Sequence, residues 1–179
     1  MKTQETKWAI DPTHSKVAFK VKHLMISNVL GNFKEFEGRV STDGDDFSTA
    51  EINFTLNAAS IDTEMVDRDA HLKSPDFFDA EKYPKISFSG KGMKDLGDEM
   101  FELTGDLTIK EVTKSVTLTV EYGGIMTDPW GNVKAGFSLS GKINRKDFGL
   151  NWNAALEAGG VLVGEEVKIS GDVELVKVN

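Results

Sequence analysis

The sequence predicts an all-β fold, an antiparallel β-barrel of about eight strands with one or two short helices at one end. Three observations predict it. Apolar residues recur at every second position through most of the chain, the period of a strand with one buried face. Turn signals rich in Gly and Asp separate these stretches. Residues 61–88 alone break the alternation, placing a polar rim and an apolar plug in one segment. About eight strands close a barrel just wide enough to be filled by side chains or to hold one small ligand.

In chain order, Val17, Phe19, Val21 and His23 alternate with Lys16, Lys20 and Lys22, so the first long strand turns one face to a core and a cationic face to water. After a break at Ser27-Asn28, Phe33, Phe36 and Val40 lead to the turn Asp43-Gly44-Asp45-Asp46. Ile52, Phe54 and Leu56 return from it as the second arm of a hairpin. Within residues 61–88, Ser74-Pro75 reads as a helix start, with Ser as N-cap, Pro at the first helical position, and Asp76 and Asp79 favoured by the dipole. Pro84 stops that helix. Ile86 and Phe88 open a strand that runs to Gly97-Asp98. Phe101, Leu103, Leu107 and Ile109 form the next, then Val116, Leu118, Val120 and Tyr122. Phe137, Leu139 and Ile143 follow the turn Asp128-Pro129-Trp130-Gly131-Asn132, and Val167, Ile169, Val173 and Leu175 end the series. Residues 153–166 are small and Gly-rich and read as a mobile loop after the aromatic cluster at 148–152.

Gly38, Gly105, Gly141 and Gly171 fall on the apolar parity of their strands, so each removes an inward side chain. Two compatible readings follow. Glycines relieve strain where barrel strands coil sharply, or the missing side chains leave a lumen lined by Phe19, Phe54, Phe88, Leu107, Phe137 and Leu139.

With 179 residues, the chain has the size of one domain with a sizeable core. No run of apolar residues is long enough to span a membrane as a helix. The formal net charge of −8 opposes binding to phosphate backbones, so nucleic acid is not an expected partner. The absence of Cys excludes disulfides, thiolate metal sites and a thiol nucleophile. Residues 1–8 carry no apolar leader core, so the chain as it stands is expected in the cytoplasm, and in the periplasm if a leader was removed.

The chemistry-bearing residues point to structure more than to catalysis. Asp67, Asp69 and His71 are the nearest approach to a metal cluster, and on a helix Asp67 and His71 would share a face. Carboxylates near a helix start are usually solvated or paired with a neighbour such as Arg68, so structural pairing is the expectation. Ser15 beside His14 on a strand would point to the opposite face, which disfavours a Ser-His pair. Arg145, next to Asp147 on a turn, is most simply a charge that fixes the chain there.

The motifs Arg68-Asp69-x-His71-Leu72, Asp76-Phe77-Phe78 and Tyr83-Pro84-x-Ile86-x-Phe88 occur in that order. They are accompanied by Trp8-x-Ile10-Asp11-x-x-His14-Ser15, Gly31-x-Phe33-x-x-Phe36-x-Gly38, Leu107-Thr108-Ile109-Lys110, Asp128-x-Trp130-Gly131 and Asn144-Arg145-x-Asp147-Phe148-Gly149-Leu150. Nearly end to end, the sequence resembles the YceI family of lipocalin-like bacterial proteins. The resemblance implies one barrel domain over residues 1–179. It also implies a polyisoprenoid or another long apolar molecule, such as the tail of an isoprenoid quinone, in an internal tunnel. It adds no catalytic residue, no metal and no cofactor beyond the bound lipid. Most members are periplasmic, and some form homodimers.

The expected function is therefore sequestration or transport of a long apolar molecule, with no enzymatic step and no membrane insertion. The candidate ligand-binding residues are Phe19, Val21, His23, Phe33, Phe36, Phe54, Leu56, Ile61, Phe88, Leu107, Phe137 and Leu139 on the strands, Leu72 and Phe77 in the central segment, and Phe148 and Trp152 in the aromatic cluster. Two alternatives remain open at this point. One is an enzyme acting on such a lipid through Asp67, Asp69 and His71, and the other an interaction module that pairs through exposed strand edges.

Overall fold

A computed structural model of the chain describes residues 4–157 and 159–178. The strands are β1 (Glu5–Ile10), β2 (Lys16–His23), β3 (Ser27–Phe33), β4 (Phe36–Asp43), β5 (Asp46–Asn57), β6 (Ile61–Asp62), β7 (Lys85–Lys91), β8 (Lys94–Gly97), β9 (Met100–Ile109), β10 (Val112–Thr127), β11 (Val133–Asn144) and β12 (Val163–Val178). Among the described residues a single α-helix, α1 (Val66–Lys73), interrupts them. Eight strands form a closed antiparallel ring in the order β1-β4-β5-β7-β9-β10-β11-β12, with β12 returning to β1.

The ring has the expected number of strands but not the expected membership. The first expected strand, from Val17 to His23, is β2, and it stands beside the ring on a branch β12-β2-β3-β6. Its expected place in the ring belongs to β1, whose Lys7 to Ile10 pair with Val178 to Leu175 of β12. The earlier half of β12 pairs with β2, from Val163↔His23 to Asp172↔Lys16. β1 and β2 thus run along one long strand in succession, parted by a 3-10 turn at Pro12–His14. β1 is short and carries no run of strict alternation, which hid it. β3 begins at the expected break, Ser27-Asn28, because the turn falls earlier, at Leu24 and Met25. The strand expected from Ile86 to Gly97 is divided at Gly92, whose φ of +79° bends the chain between β7 and β8.

The central segment corrects the expected helix position. α1 lies before Ser74, and Ser74 is its C-cap, its N–H and its hydroxyl both donating to His71 O (3.1 and 2.5 Å). Pro75 explains the reversal. The residue before a proline is pushed out of the helical region, and Ser74 has ψ of 168°. Asp67 and Asp69 supply the acidic first turn instead. Residues 74–80 then fold back over the helix end, with Phe78 N–H on Leu72 O (3.0 Å) and Ala80 N–H on Lys73 O (2.9 Å).

Two apolar clusters fill the barrel. One gathers Trp8, Phe47, Leu103, Val120, Phe137 and Leu175 at the end away from α1, and the other gathers Phe33, Leu56, Ile61, Ile109, Phe148 and Leu150 below the helix. The inward glycines sit in filled space at three of the four positions, Gly38 included, where a Cβ would stand 2.5 Å from Ile10 Cδ1. A Cβ on Gly105 would stand 2.5 Å from Ser89 O and from Phe88 Cζ, and one on Gly141 would stand 2.5 Å from Leu118 Cδ2. Neighbouring side chains and backbone already take that space, so these three residues do not open a lumen.

Candidate functional site: an apolar cavity with one mouth

A cavity of about 710 Å³ lies in the barrel between the two clusters, lined almost wholly by apolar side chains. Its far end is stopped by aromatic packing. Phe47 meets Trp8, Tyr122 and Phe137 at centroid distances of 5.1, 5.5 and 4.8 Å, and the Trp8 indole N–H is satisfied by Thr42 Oγ1 (3.0 Å). The other end is ringed by α1, by the β2–β3 hairpin and by the segment around Trp152. Among the described residues no strand ladder runs across that end, and β3 pairs with β6 only through Asn32 and Phe33.

Most of the sequence candidates line this cavity. Phe19, Val21 and His23 of β2, Phe33 of β3, Phe54 and Leu56 of β5, Phe88 of β7, Leu107 of β9, and Phe137 and Leu139 of β11 face it, as do Leu72, Phe77 and Trp152 at the mouth. Three do not line it. Phe36 lies behind Phe54 (6.2 Å between centroids), and Ile61 and Phe148, 3% and 1% exposed, belong to the packed cluster below the helix. A large apolar residue on the right parity can end in the wall or behind it, and parity alone does not separate the two. The sequence reading also passed over Met65 at the start of α1, and Leu118, Val120 and Val173 on the ring. The last three sat on visible inward parities, whereas nothing in the sequence marked Met65.

The ionisable residues of the central segment have structural partners. The Asp69 carboxylate accepts from Thr63 N–H (2.9 Å) and the Thr63 hydroxyl (2.5 Å), and Arg68 donates to Thr63 Oγ1 (2.7 Å) and Thr63 O (2.6 Å). Arg68 and Asp69 are therefore joined through Thr63. His71 Nε2 bonds Asp76 Oδ2 (2.9 Å) and its ring packs against Phe77 and Trp152. Asp67 and His71 both line the mouth.

Arg145 is the most constrained charge. It is 3% exposed and donates to four backbone oxygens, those of Leu150 (2.6 Å), Trp152 (2.9 Å), Gly164 (2.8 Å) and Val163 (3.2 Å). Burial lowers its pKa. It pins the segment that carries Trp152 to the start of β12, as the turn reading of Arg145 anticipated.

A second cluster lies where β1 gives way to β2. Asp11, His14 and Glu174 could together approach a metal ion, but Lys134 Nζ sits on Glu174 (2.8 Å) and Asp11 (3.4 Å), and His14 Nδ1 on Asp11 (2.9 Å). The cluster already holds its cation. Ser15 bonds the backbone of Glu174 and not His14. Among the described residues no buried side-chain nitrogen or oxygen lacks a partner, so the cavity wall presents no orphaned polar group.

A family model for YceI-like domains matches residues 8–175. The chain belongs to that family. A UPF0312 protein of Staphylococcus epidermidis is 41% identical over 170 residues, covering 94% of this chain and 96% of that one. A crystal structure of the Campylobacter jejuni YceI protein is similar with a TM-score of 0.74 at 36% identity, covering 89% of this chain and 91% of the other. A polyisoprenoid-binding domain from Saccharophagus degradans shares the fold, with a TM-score of 0.68 at 14% identity over 94% of this chain and 97% of that one. Among the described residues, no helix is long and apolar enough to cross a membrane.

Proposed function

We propose that this protein binds one long apolar molecule of the polyisoprenoid class inside the barrel and shields it from water. The observation that carries this reading is the cavity, about 710 Å³ and apolar along its length. That volume falls within the ~300–1,000 Å³ of sites that enclose small molecules. Water gains little there, because a water molecule needs two or more polar partners. Among the described residues, no buried side-chain polar atom without a partner faces a chain of methylene and methyl groups in the wall, and burying roughly ten methylenes at ~0.8 kcal/mol each gives a gross term of about 8 kcal/mol. That is the size of a micromolar affinity before ordering costs are subtracted. The polyisoprenoid named for the Saccharophagus degradans domain suits such a site. The finer assignment to a quinone tail, and a role in transport, belong to this proposal.

The acid-base alternative has weaker support, since Asp69 and His71 are each engaged elsewhere. The test is to extract the purified protein with organic solvent, identify the lipid by mass spectrometry, and titrate the stripped protein with an apolar fluorophore against farnesol. We expect an isoprenoid in the extract and displacement of the fluorophore. A wild type that yields no lipid and takes up no apolar probe would overturn the reading.

A further inference from the structure

We infer that the mouth of the cavity docks on the surface of an anionic phospholipid bilayer through the tip of the β2–β3 hairpin. The inference rests on the lipid-binding reading for its purpose, but its geometry and its test stand apart from it.

The turn chemistry is the first observation. The hairpin turns through Leu24 and Met25, with φ of +53° and +63°, and Ile26 N–H donates to His23 O (3.3 Å). Two left-handed central residues define a turn in which Asn-Gly is at ease and other side chains are strained. Leu and Met occupy it here, and Leu24, Met25 and Ile26 are 40%, 60% and 83% exposed. Neither backbone strain nor exposed apolar surface helps the fold, so the composition of the tip serves something outside it.

The second observation is its place. Leu24 N–H donates to Leu162 O (2.8 Å), and the Met25 side chain lies directly over Gly160, leaving no room there for a side chain. Around the same mouth, at the start of α1, stand Met65 and Val66, 52% and 85% exposed. Met65 also lines the cavity. An exposed apolar rim thus runs into the apolar interior, and a lipid could pass from a bilayer to the cavity without crossing water.

The third observation is charge. Lys20, Lys168 and Lys142 stand in register on the outer faces of β2, β12 and β11, with Lys22 next towards the tip. Like charges opposite one another destabilise a sheet. Among the described residues, none of these lysines has a carboxylate within ion-pair distance, although the chain carries a net charge of −8. Asp62 and Glu64 edge the same outer groove, but Asp62 is taken by Lys34 (3.0 Å). Four residues of strand set Lys20 about 13 Å from the tip, so apolar residues can enter the headgroup layer while the lysines meet phosphates. Leu96, Met126 and Trp130 are exposed elsewhere on the barrel, and acidic residues flank them as Glu64 and Asp67 flank Met65 and Val66, so the cationic surface is the lysine row beside the hairpin and not the rim at α1.

Flotation with vesicles of phosphatidylcholine and phosphatidylglycerol in equal parts tests the inference. The wild type should float with them at low salt, and binding should fall roughly tenfold in phosphatidylcholine alone or in ~1 M salt. Leu24→Asn combined with Met25→Gly relieves the turn, and should keep or raise Tm while vesicle binding falls by about tenfold. Ile26→Ser should act in the same direction, Lys20→Gln with Lys168→Gln should remove the preference for anionic lipid, and Trp130→Ser should change nothing. A wild type that stays at the bottom of the gradient overturns docking, even if lipid is extracted from it, which would leave the cavity reading intact. A tip variant that floats like the wild type overturns it too. So does a tip that holds a dimer by light scattering and no vesicle. Flotation of a wild type that yields no lipid supports docking and counts against the cavity reading.

Discussion

His71 and Trp152 meet edge to face at the mouth of the cavity, with ring centroids 4.7 Å apart and planes at 87°. Phe77 completes the group, 5.2 Å from His71 and 5.4 Å from Trp152. The contact joins α1 to a segment outside the barrel ladder, so it can part while every strand pair stays bonded. An aromatic pair of this kind contributes only ~0.5–1.5 kcal/mol beyond its buried area. We predict that a bound molecule would exchange through this contact, because parting the side chains breaks no strand pair.

Trp152→Ala should make the mouth leakier. The Trp152 carbonyl would still accept from Arg145 (2.9 Å), so the change isolates the side chain from the path of the segment. We expect the dissociation rate of a bound apolar fluorophore to rise roughly tenfold, with a stability loss of about 1–3 kcal/mol. An unchanged rate by stopped-flow would show that ligand leaves elsewhere.

Arg145→Lys should destabilise more than a surface charge change. A planar guanidinium reaches four carbonyls in different directions, whereas an ammonium has three donors on one point. Leaving one or two of those acceptors unpaired in the interior predicts a loss of about 2–4 kcal/mol by chemical denaturation. Arg145→Lys within ~0.5 kcal/mol of the wild type would mean that the segment is held by its other bonds.

Alternation made the barrel legible, since β2, β5, β9, β10, β11 and β12 each repeat apolar residues over enough length to show the period. The closing strand was not, because Glu5–Ile10 is six residues long and its partners lie at opposite ends of the chain, in β4 and β12. The helix was misplaced because Ser-Pro can start one or stop one. What decided it was that Pro75 ends α1 at Ser74 and residues 74–80 then turn back on the last helical carbonyls, a local choice that the dipeptide alone leaves open. Lys134 was passed over for a similar reason. It looks like any strand lysine until the fold brings Asp11, Asp128 and Glu174 around it from three elements.

We expect that network to make stability depend on acid. Hydrogen bonds from the Thr13 hydroxyl (2.6 Å), and then the His14 ring, hold the Asp11 carboxyl far below the usual carboxylate range. A depressed carboxyl contributes stability that is fully present above its unfolded pKa of ~3.9 and is lost as pH falls towards the folded value. Asp11→Asn should therefore melt below the wild type near neutral pH, and the gap should narrow as pH drops below ~4. A gap that stays constant from neutral to acid by thermal melts would assign the difference to packing and not to charge.

The four inward glycines separate wall from lumen. A Cβ at Gly171 would find Lys16 O at 3.4 Å and Leu139 Cδ1 at 3.7 Å, ordinary contacts, and Gly171 borders the cavity. At Gly141 the same atom would meet Leu118 at 2.5 Å. Neither residue has a positive φ, so a side chain brings no backbone strain at either place. Gly171→Leu should then extend into space that a ligand would use, displace an apolar fluorophore, and leave Tm of the stripped protein little changed, because the new side chain gains burial. Gly141→Leu drives against a filled position and should destabilise by about 1–3 kcal/mol while the fluorophore still binds. Measuring both changes in the stripped protein keeps ligand stabilisation out of the comparison. If Gly171→Leu binds the fluorophore as the wild type does, the ligand lies outside the barrel interior, and the apolar cavity is a consequence of strand coiling alone.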